Sequence, residues 1–198
     1  MTELVVVRHG QTAANAKGLL LGRLDVDLDD VGRAQAAALA EALPTPDLVI
    51  TSPLARTRQT AEAFGVEVEV VDDWIELDYG EWDGRPAGEV PAEAWRAWRA
   101  DPDFAPPGGE SLARLTARVH DALDDLVARV EGRRIVVVTH VSPVKAAVAW
   151  ALGQGPELAW RTYVAPASIT RIGLGDAAAG ATLRAFNETA HLSGIPPA

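Results

Sequence analysis

Arg8-His9-Gly10-Gln11-Thr12 places a histidine between an arginine and a glycine, directly after the first apolar run of the chain, Leu4–Val7. An unprotonated imidazole nitrogen is a nucleophile, a neighbouring guanidinium attracts an anion, and glycine lets a backbone approach closely. A lone His-Gly reads more readily as a core or capping histidine. Two further positions change that. His140 follows a second apolar run, Ile135–Val138, and Arg56 falls in the first turn of a helix expected after a third, Leu48–Ile50. Arg8, His9, Arg56 and His140 thus come from three strand ends, beside helix N-termini whose N–H groups and dipoles favour negative charge. Such a cluster suits a phosphoryl group, whose equatorial oxygens need several donors during transfer.

The elements that must hold these residues are legible. Short, continuous β-branched runs read as strands buried on both faces. Ser52 is expected as N-cap with Pro53 opening a helix that runs to Phe64 and stops at Gly65. Val141-Ser142-Pro143 repeats the device before Val144–Leu152, stopped by Gly153. Val31–Leu43 and Ser111–Val130 are expected helices, the second amphipathic through Leu112, Leu115, Val119, Leu123, Leu126 and Val130. Glu67–Val71 alternates as an edge strand, and Ser168–Leu174 with Thr182–Phe186 reads as a hairpin whose apolar face is open to core or homodimer contact. The alternation gives an α/β fold, a three-layer α/β/α sandwich with a mostly parallel central sheet, in which ligands sit outside the carboxyl ends of the strands. Residues 1–198 are expected to form a single domain with an insertion at about 78–110. That stretch, rich in Pro, Gly and Trp and with one short helix at Ala92–Ala100, is read as a lid or pocket wall. Trp74, Trp82, Trp95 and Trp98 line a leaving-group pocket or are simply buried. His120 is expected to pair with Asp124 on a helix surface, and His191 to close over the pocket or dock the tail.

Composition narrows the chemistry. Among 198 residues there are 28 acids and 18 bases, a net charge of −10, and no cysteine. Thiolate catalysis, disulfides and Cys-ligated metal are excluded. The acidity speaks against nucleic-acid binding, no apolar run reaches the roughly 18 residues of a membrane span, and Met1-Thr2-Glu3-Leu4 lacks a signal peptide's basic start. A cytoplasmic address is expected.

Arg8-His9-Gly10 with Asn15, Ser52 through Ala61, Glu76 through Gly84, and Thr139-His140, in that order, resemble the histidine phosphatase (phosphoglycerate mutase-like) superfamily. Gly22-Arg23-Leu24-Asp25 and Leu28 through Ala36 look like its next signature, so the likeness runs from about residue 3 to residue 150. The resemblance implies a phosphoglycerate mutase-like fold and a phosphohistidine formed on His9. It implies that Arg8, Arg56 and His140 hold the phosphoryl oxygens, that Asn15 belongs to the phosphate pocket, and that Glu76 protonates the leaving group, with neither metal nor cofactor. Gln11, Thr12, Gly22, Arg58, Trp82 and Val141 are candidate substrate-pocket residues. Two positions depart from the family pattern: Val141 stands where glycine is frequent after the second histidine, and Asp29-Asp30 replaces a Thr-Glu pair. The short Arg85–Gly109 segment and Gly108-Gly109-Glu110-Ser111-Leu112 resemble the smaller phosphatase branch. A phosphomonoester hydrolase of a small phosphorylated metabolite is therefore expected. A mutase-type phosphotransferase and a non-catalytic phosphate-binding domain are the alternatives.

Overall fold

In a computed structural model, residues 2–129, 132–175 and 180–195 are described. Along the chain run β1 (Thr2–Arg8), α1 (Ala13–Ala16), α2 (Asp30–Ala42), β2 (Leu48–Thr51), α3 (Ala55–Glu62) and β3 (Val68–Val70). There follow α4 (Ala92–Ala100), α5 (Leu112–Arg129), β4 (Arg134–Thr139), α6 (Val141–Leu152), β5 (Ile169–Leu174) and β6 (Ala181–Glu188). The six strands form one sheet in the order β3-β2-β4-β1-β5-β6. Strands β1 to β4 are mutually parallel, while β5 and β6 add an antiparallel hairpin. Val130 and residues 176–179 of the expected hairpin turn lie outside the described residues.

Strand side chains alternate between the two faces, and the β-branched runs fill both. Leu4, Val6, Ile135 and Val137 join a core with Leu115, Val119 and Leu123 of α5 and Val144 and Ala147 of α6. Val5, Val7, Val136 and Val138 join a second core with Leu39 of α2 and Ala61 of α3. Helices therefore cover both faces of the sheet. In the hairpin, Ile172 and Leu174 are core, and Leu183 and Phe186 of β6 pack against the same cluster. The parallel register pairs Arg8 with Thr139 and Thr51 with Val138, so β1, β2 and β4 end level with one another.

Both Ser-Pro helix starts differ from expectation. Helix α3 begins two residues late, at Ala55, whose N–H donates to Asp25 Oδ1 at 2.7 Å. Helix α6 begins early, with His140 as N-cap, Ser142 in its first turn and Pro143 third. A carboxylate distant in sequence reaches each start: Asp25 takes the Ala55 N–H while Ser52 keeps that of Leu54, and Glu76 takes those of Val141 and Ser142. Pro143 is tolerated because first-turn N–H groups lack intrahelical partners. Gly153 closes α6 with φ +61°, the left-handed conformation that glycine adopts freely. Asp29 caps α2 by accepting the Gly32 N–H at 2.8 Å. His120 does not pair with Asp124: its Nε2 meets the Ala146 carbonyl at 3.1 Å, and Asp124 accepts from the Trp150 indole at 2.9 Å. The packing of α5 on α6 wins over the local pair.

The segment between Asp78 and Glu110 carries α4 and an aromatic cluster. Trp98 stacks on Trp95, with centroids 5.4 Å apart, and meets Trp160 edge-on at 5.4 Å. Trp82 and Phe104 pack behind it. Arg118 of α5 clamps the base of the segment, reaching both oxygens of Glu110 at 2.9 Å and the backbone oxygens of Asp73 and Glu76. Burial alone would raise the Glu110 carboxyl; Arg118 and Arg23 outweigh it and hold it below the usual range. No helix among the described residues is long and apolar enough to cross a membrane.

Candidate active site

The level strand ends bring His9 and His140 together, with ring centroids 5.2 Å apart in an edge-on arrangement. His9 is fixed at both ends. Its backbone N–H donates to the Thr139 carbonyl, and its Nδ1 lies 2.6 Å from the Gly10 carbonyl. A carbonyl only accepts, so Nδ1 carries the proton and the neutral ring keeps its lone pair on Nε2. Burial lowers the His9 pKa well below the ordinary imidazole value, and Arg56 and Arg8 push it the same way. The ring is thus neutral and nucleophilic at Nε2. The glycine beside it serves a different approach from the one anticipated: a Cβ on Gly10 would overlap the Gly32 carbonyl, so Gly10 seats the loop on α2 rather than opening it to a ligand.

His140 is fully buried, and burial, then Arg56 and His9, hold its pKa well below the ordinary value. Its Nε2 is 2.8 Å from the Ser52 hydroxyl, which also accepts the Leu54 N–H at 3.3 Å. The assignment that satisfies most groups has Ser52 donating to Nε2 and the proton on Nδ1. That Nδ1 is buried and without a partner among the described residues.

Arg8 and Arg56 supply the charge. Arg8 donates to the Val164 carbonyl at 2.8 Å. Arg56, fully buried, donates to the carbonyls of Leu24 at 2.8 Å and Gly22 at 2.6 Å. Burial lowers the Arg56 pKa to about 10, against the pull of Glu76, and lowers Arg8 as well. The loop that orients Arg56 is itself held: Asp83 accepts the N–H groups of Gly22, Arg23 and Leu24 at 2.7, 2.8 and 2.9 Å. The Nε groups of both arginines are buried without partners. With His140 Nδ1 they make three orphaned nitrogens on side chains that neighbour His9, each costly to leave unpaired when buried. A phosphoryl group would satisfy them.

Glu76 is only 2% exposed and acts electrostatically on both Arg8 and Arg56. Its carboxyl oxygens accept the N–H of Leu77 at 2.7 Å, of Val141 at 3.0 Å and of Ser142 at 3.2 Å, at the start of α6. Its backbone carbonyl is anchored by Arg118. Val141, the departure from glycine, therefore still offers its N–H.

Among the other expected site residues, Asn15 closes a capping box on α1, its Oδ1 accepting from the N–H and hydroxyl of buried Thr12. Gln11 donates to Asp29 at 2.9 Å and ties the loop to α2; its Oε1 is buried without a partner. Gly22 serves through its carbonyl. Arg58 is not brought to the cluster: two residues beyond Arg56 it lies about 200° around α3, and it is exposed. Trp82 packs behind Trp98, and Trp74 is core, its carbonyl accepting the Thr139 hydroxyl at 2.6 Å. His191 docks the tail through the Ala167 carbonyl at 3.0 Å.

A cavity of about 110 Å³ opens beside Glu76, walled by Leu77, Trp95, Trp98, Val141 and Trp160, with Tyr79 and Lys145 among its lining. Burial, reinforced by Glu76, keeps the Tyr79 phenol protonated far above its ordinary range. Lys145, Trp160 and Arg118 were not anticipated, nor was the part of Asp83 in holding the Arg56 loop. Lys145 alone left a signal, lying one helical turn after Val141. No group of three His, Cys, Asp or Glu placed to hold a metal ion occurs among the described residues.

A profile of the histidine phosphatase superfamily (branch 1) matches residues 4–189. A bifunctional protein of Mycobacterium tuberculosis is 34% identical over 201 residues; the match covers 96% of this chain but 55%, about half, of that protein. Phosphoserine phosphatase 1 of Hydrogenobacter thermophilus is 38% identical over 165 residues, 77% of each chain. Among solved structures, phosphoserine phosphatase of Entamoeba histolytica in complex with 3-phosphoglyceric acid superimposes with a TM-score of 0.90 at 27% identity, covering 97% of this chain and 100% of that one.

Proposed function

The chain belongs to the histidine phosphatase superfamily, branch 1, and from that premise we propose that it is a phosphomonoester hydrolase of a small phosphorylated metabolite, working through a phosphohistidine at His9. The observation that carries this reading is the neutral His9 ring, pinned by the Gly10 carbonyl with Nε2 unprotonated, beside Arg8, Arg56 and His140, each of which has a buried nitrogen without a partner.

The Nε2 lone pair attacks phosphorus in line with the departing ester oxygen, and the P–O ester bond breaks as the P–N bond forms. Arg8, Arg56 and the Nδ1 proton of His140 take the charge that gathers on the equatorial oxygens. Asn15 belongs to the same pocket. The leaving alkoxide receives its proton from Glu76. Water then attacks the phosphohistidine, gives its proton to Glu76, and the P–N bond breaks to release phosphate. The guanidinium pair supplies the positive charge of the transfer and neutral His140 adds an N–H donor, so the reading is metal-independent. It also takes the chain as one domain, with 78–110 as the pocket wall, and gives the enzyme a cytoplasmic address among small phosphorylated metabolites.

The test is chemical. Wild type should hydrolyse p-nitrophenyl phosphate and, quenched during turnover, carry an acid-labile, base-stable phosphoryl group. His9→Ala should carry none and lose about a thousandfold or more in kcat. Equal rates from the two proteins refute the assignment. Faster interconversion of phosphoglycerates with a bisphosphoglycerate primer than phosphate release would replace hydrolase by mutase.

A further inference from the structure

Two residues that line the cavity beside Glu76, Trp98 and Lys145, carry nitrogen donors that the phosphoryl-transfer machinery does not use. Trp98 is 2% exposed and its indole N–H is buried without a hydrogen-bond partner, a rare condition for a tryptophan in a packed aromatic cluster. Lys145 is half-buried, and its Nζ reaches one protein acceptor, the Ala159 carbonyl at 2.7 Å, although an ammonium has three protons to donate. It forms no ion pair among the described residues, and burial lowers its pKa against the attraction of Glu76. The rest of the wall is apolar or aromatic: Leu77, Trp95, Val141 and Trp160.

The cavity is placed to receive the group that departs. Its inner wall includes Leu77, Val141 and Ser142, the three residues whose backbone N–H groups hold the Glu76 carboxyl. A leaving group seated there has its ester oxygen beside Glu76 and its body among the indoles. The volume, about 110 Å³, is somewhat below the roughly 150 Å³ of an apolar cavity that takes benzene, and this one is open on a side. It accommodates about one ring.

We propose that this cavity is a leaving-group subsite for a phosphate ester of an alcohol bearing a single flat, largely apolar ring with a hydrogen-bond acceptor, and that Lys145 and Trp98 are the specificity-determining donors for that acceptor. The proposal rests on the hydrolase reading and narrows its substrate. Ring burial against Trp95 and Trp160 supplies affinity with little direction. The two donors supply the direction, because a ring without an acceptor leaves them desolvated and unpaired.

The experiment compares benzyl phosphate with its ring-nitrogen analogues, the three isomeric pyridylmethyl phosphates, which match it in size and leaving-group type, and with phosphoserine, which has no ring. Wild type should turn over at least one pyridylmethyl ester about tenfold better in kcat/KM than benzyl phosphate, with the gain in KM, and both better than phosphoserine. Lys145→Met and Trp98→Phe should each reduce that ratio several-fold. The ratio within one protein is independent of how much of a variant folds, and Lys145→Gln serves where the Met variant is unstable. Equal use of benzyl and all pyridylmethyl esters, a preference for phosphoserine, or a ratio unchanged in both variants overturns the subsite. Release of phosphate from p-nitrophenyl phosphate by wild type tests the hydrolase reading separately. Turnover there without ring selectivity defeats the subsite alone; no turnover defeats both.

Discussion

Replacing Glu76 by Gln separates two jobs that the proposed mechanism assigns to one carboxyl. The side chain is 2% exposed and accepts three backbone N–H groups, two of them at the start of α6. Gln keeps the volume and one acceptor oxygen but puts an NH2, which only donates, against backbone N–H groups that the carboxyl accepts, and so loses about one or two hydrogen bonds. A stability loss of about 1–2 kcal/mol follows, a fall in Tm of roughly 2–8 °C for a chain of this size. The chemical loss has a different shape. An amide cannot protonate an alkoxide, so phosphorylation of His9 by an alkyl phosphate should slow by about 10²–10⁴. p-Nitrophenolate leaves without help, and its phosphorylation step should fall by less than about tenfold. Steady-state rates would blur this contrast, because Glu76 also takes the proton of the attacking water in the second half-reaction. The assay is therefore rapid-quench measurement of phosphohistidine formation over a series of esters with graded leaving groups. With p-nitrophenyl phosphate the variant should show a burst of nitrophenol followed by slow turnover. An equal slowing of phosphorylation across the series would refute Glu76 as the acid and leave it as a helix cap alone.

Two other outcomes follow from the same geometry. His9 and His140 are held neutral in the folded protein by burial and by the nearby arginines, whereas in the unfolded chain they bind protons near the ordinary value of about 6.5. The unfolded state then carries more protons, so stability is fully present above about pH 6.5 and falls as pH drops below it, by up to ~1.4 kcal/mol per unit for each histidine. Urea midpoints between about pH 7.5 and pH 5 should show this slope, and it should shrink in a His9→Gln, His140→Gln protein; an unchanged slope contradicts the burial argument. Asp83→Ala removes the acceptor of three loop N–H groups whose neighbouring carbonyls aim Arg56. It should lower kcat/KM by about 10- to 100-fold, and unchanged kinetics would show that Arg56 needs no such support.

The sequence made the three central strands legible because each β-branched run fills both faces of the sheet, as Leu4 and Val6 on one side and Val5 and Val7 on the other do. The cluster of Arg8, His9, Arg56 and His140 was legible for a topological reason: each follows a strand, and parallel strands with level ends converge. What escaped depends on tertiary partners. Ser52 and Ser142 look like helix caps, but Asp25 and Glu76 arrive from elsewhere and take that role. Arg58 shares a motif with Arg56 yet faces away, because a two-residue step turns a helix by about 200°. Trp82 belongs to the right segment and lies one layer too deep, while Trp160 and Lys145 reach the cavity from the β4–α6–β5 half of the chain, where local pattern says nothing of the cap.

The anchors of Arg8 and Arg56 have a kinetic consequence. Arg8 and Arg56 are oriented by the carbonyls of Val164, Gly22 and Leu24, and neither forms an ion pair among the described residues. A carbonyl sets the direction of a guanidinium without cancelling its charge, whereas a carboxylate would do both. The full cationic pull is therefore available to any tetrahedral oxyanion, and the freed phosphate meets the same contacts as the ester. Under the proposed hydrolysis, product departure works against these contacts, and accumulated inorganic phosphate competes with substrate. On that reading, the carbonyl anchoring that leaves the guanidinium charge uncancelled also ties the rate of turnover to the surrounding phosphate concentration.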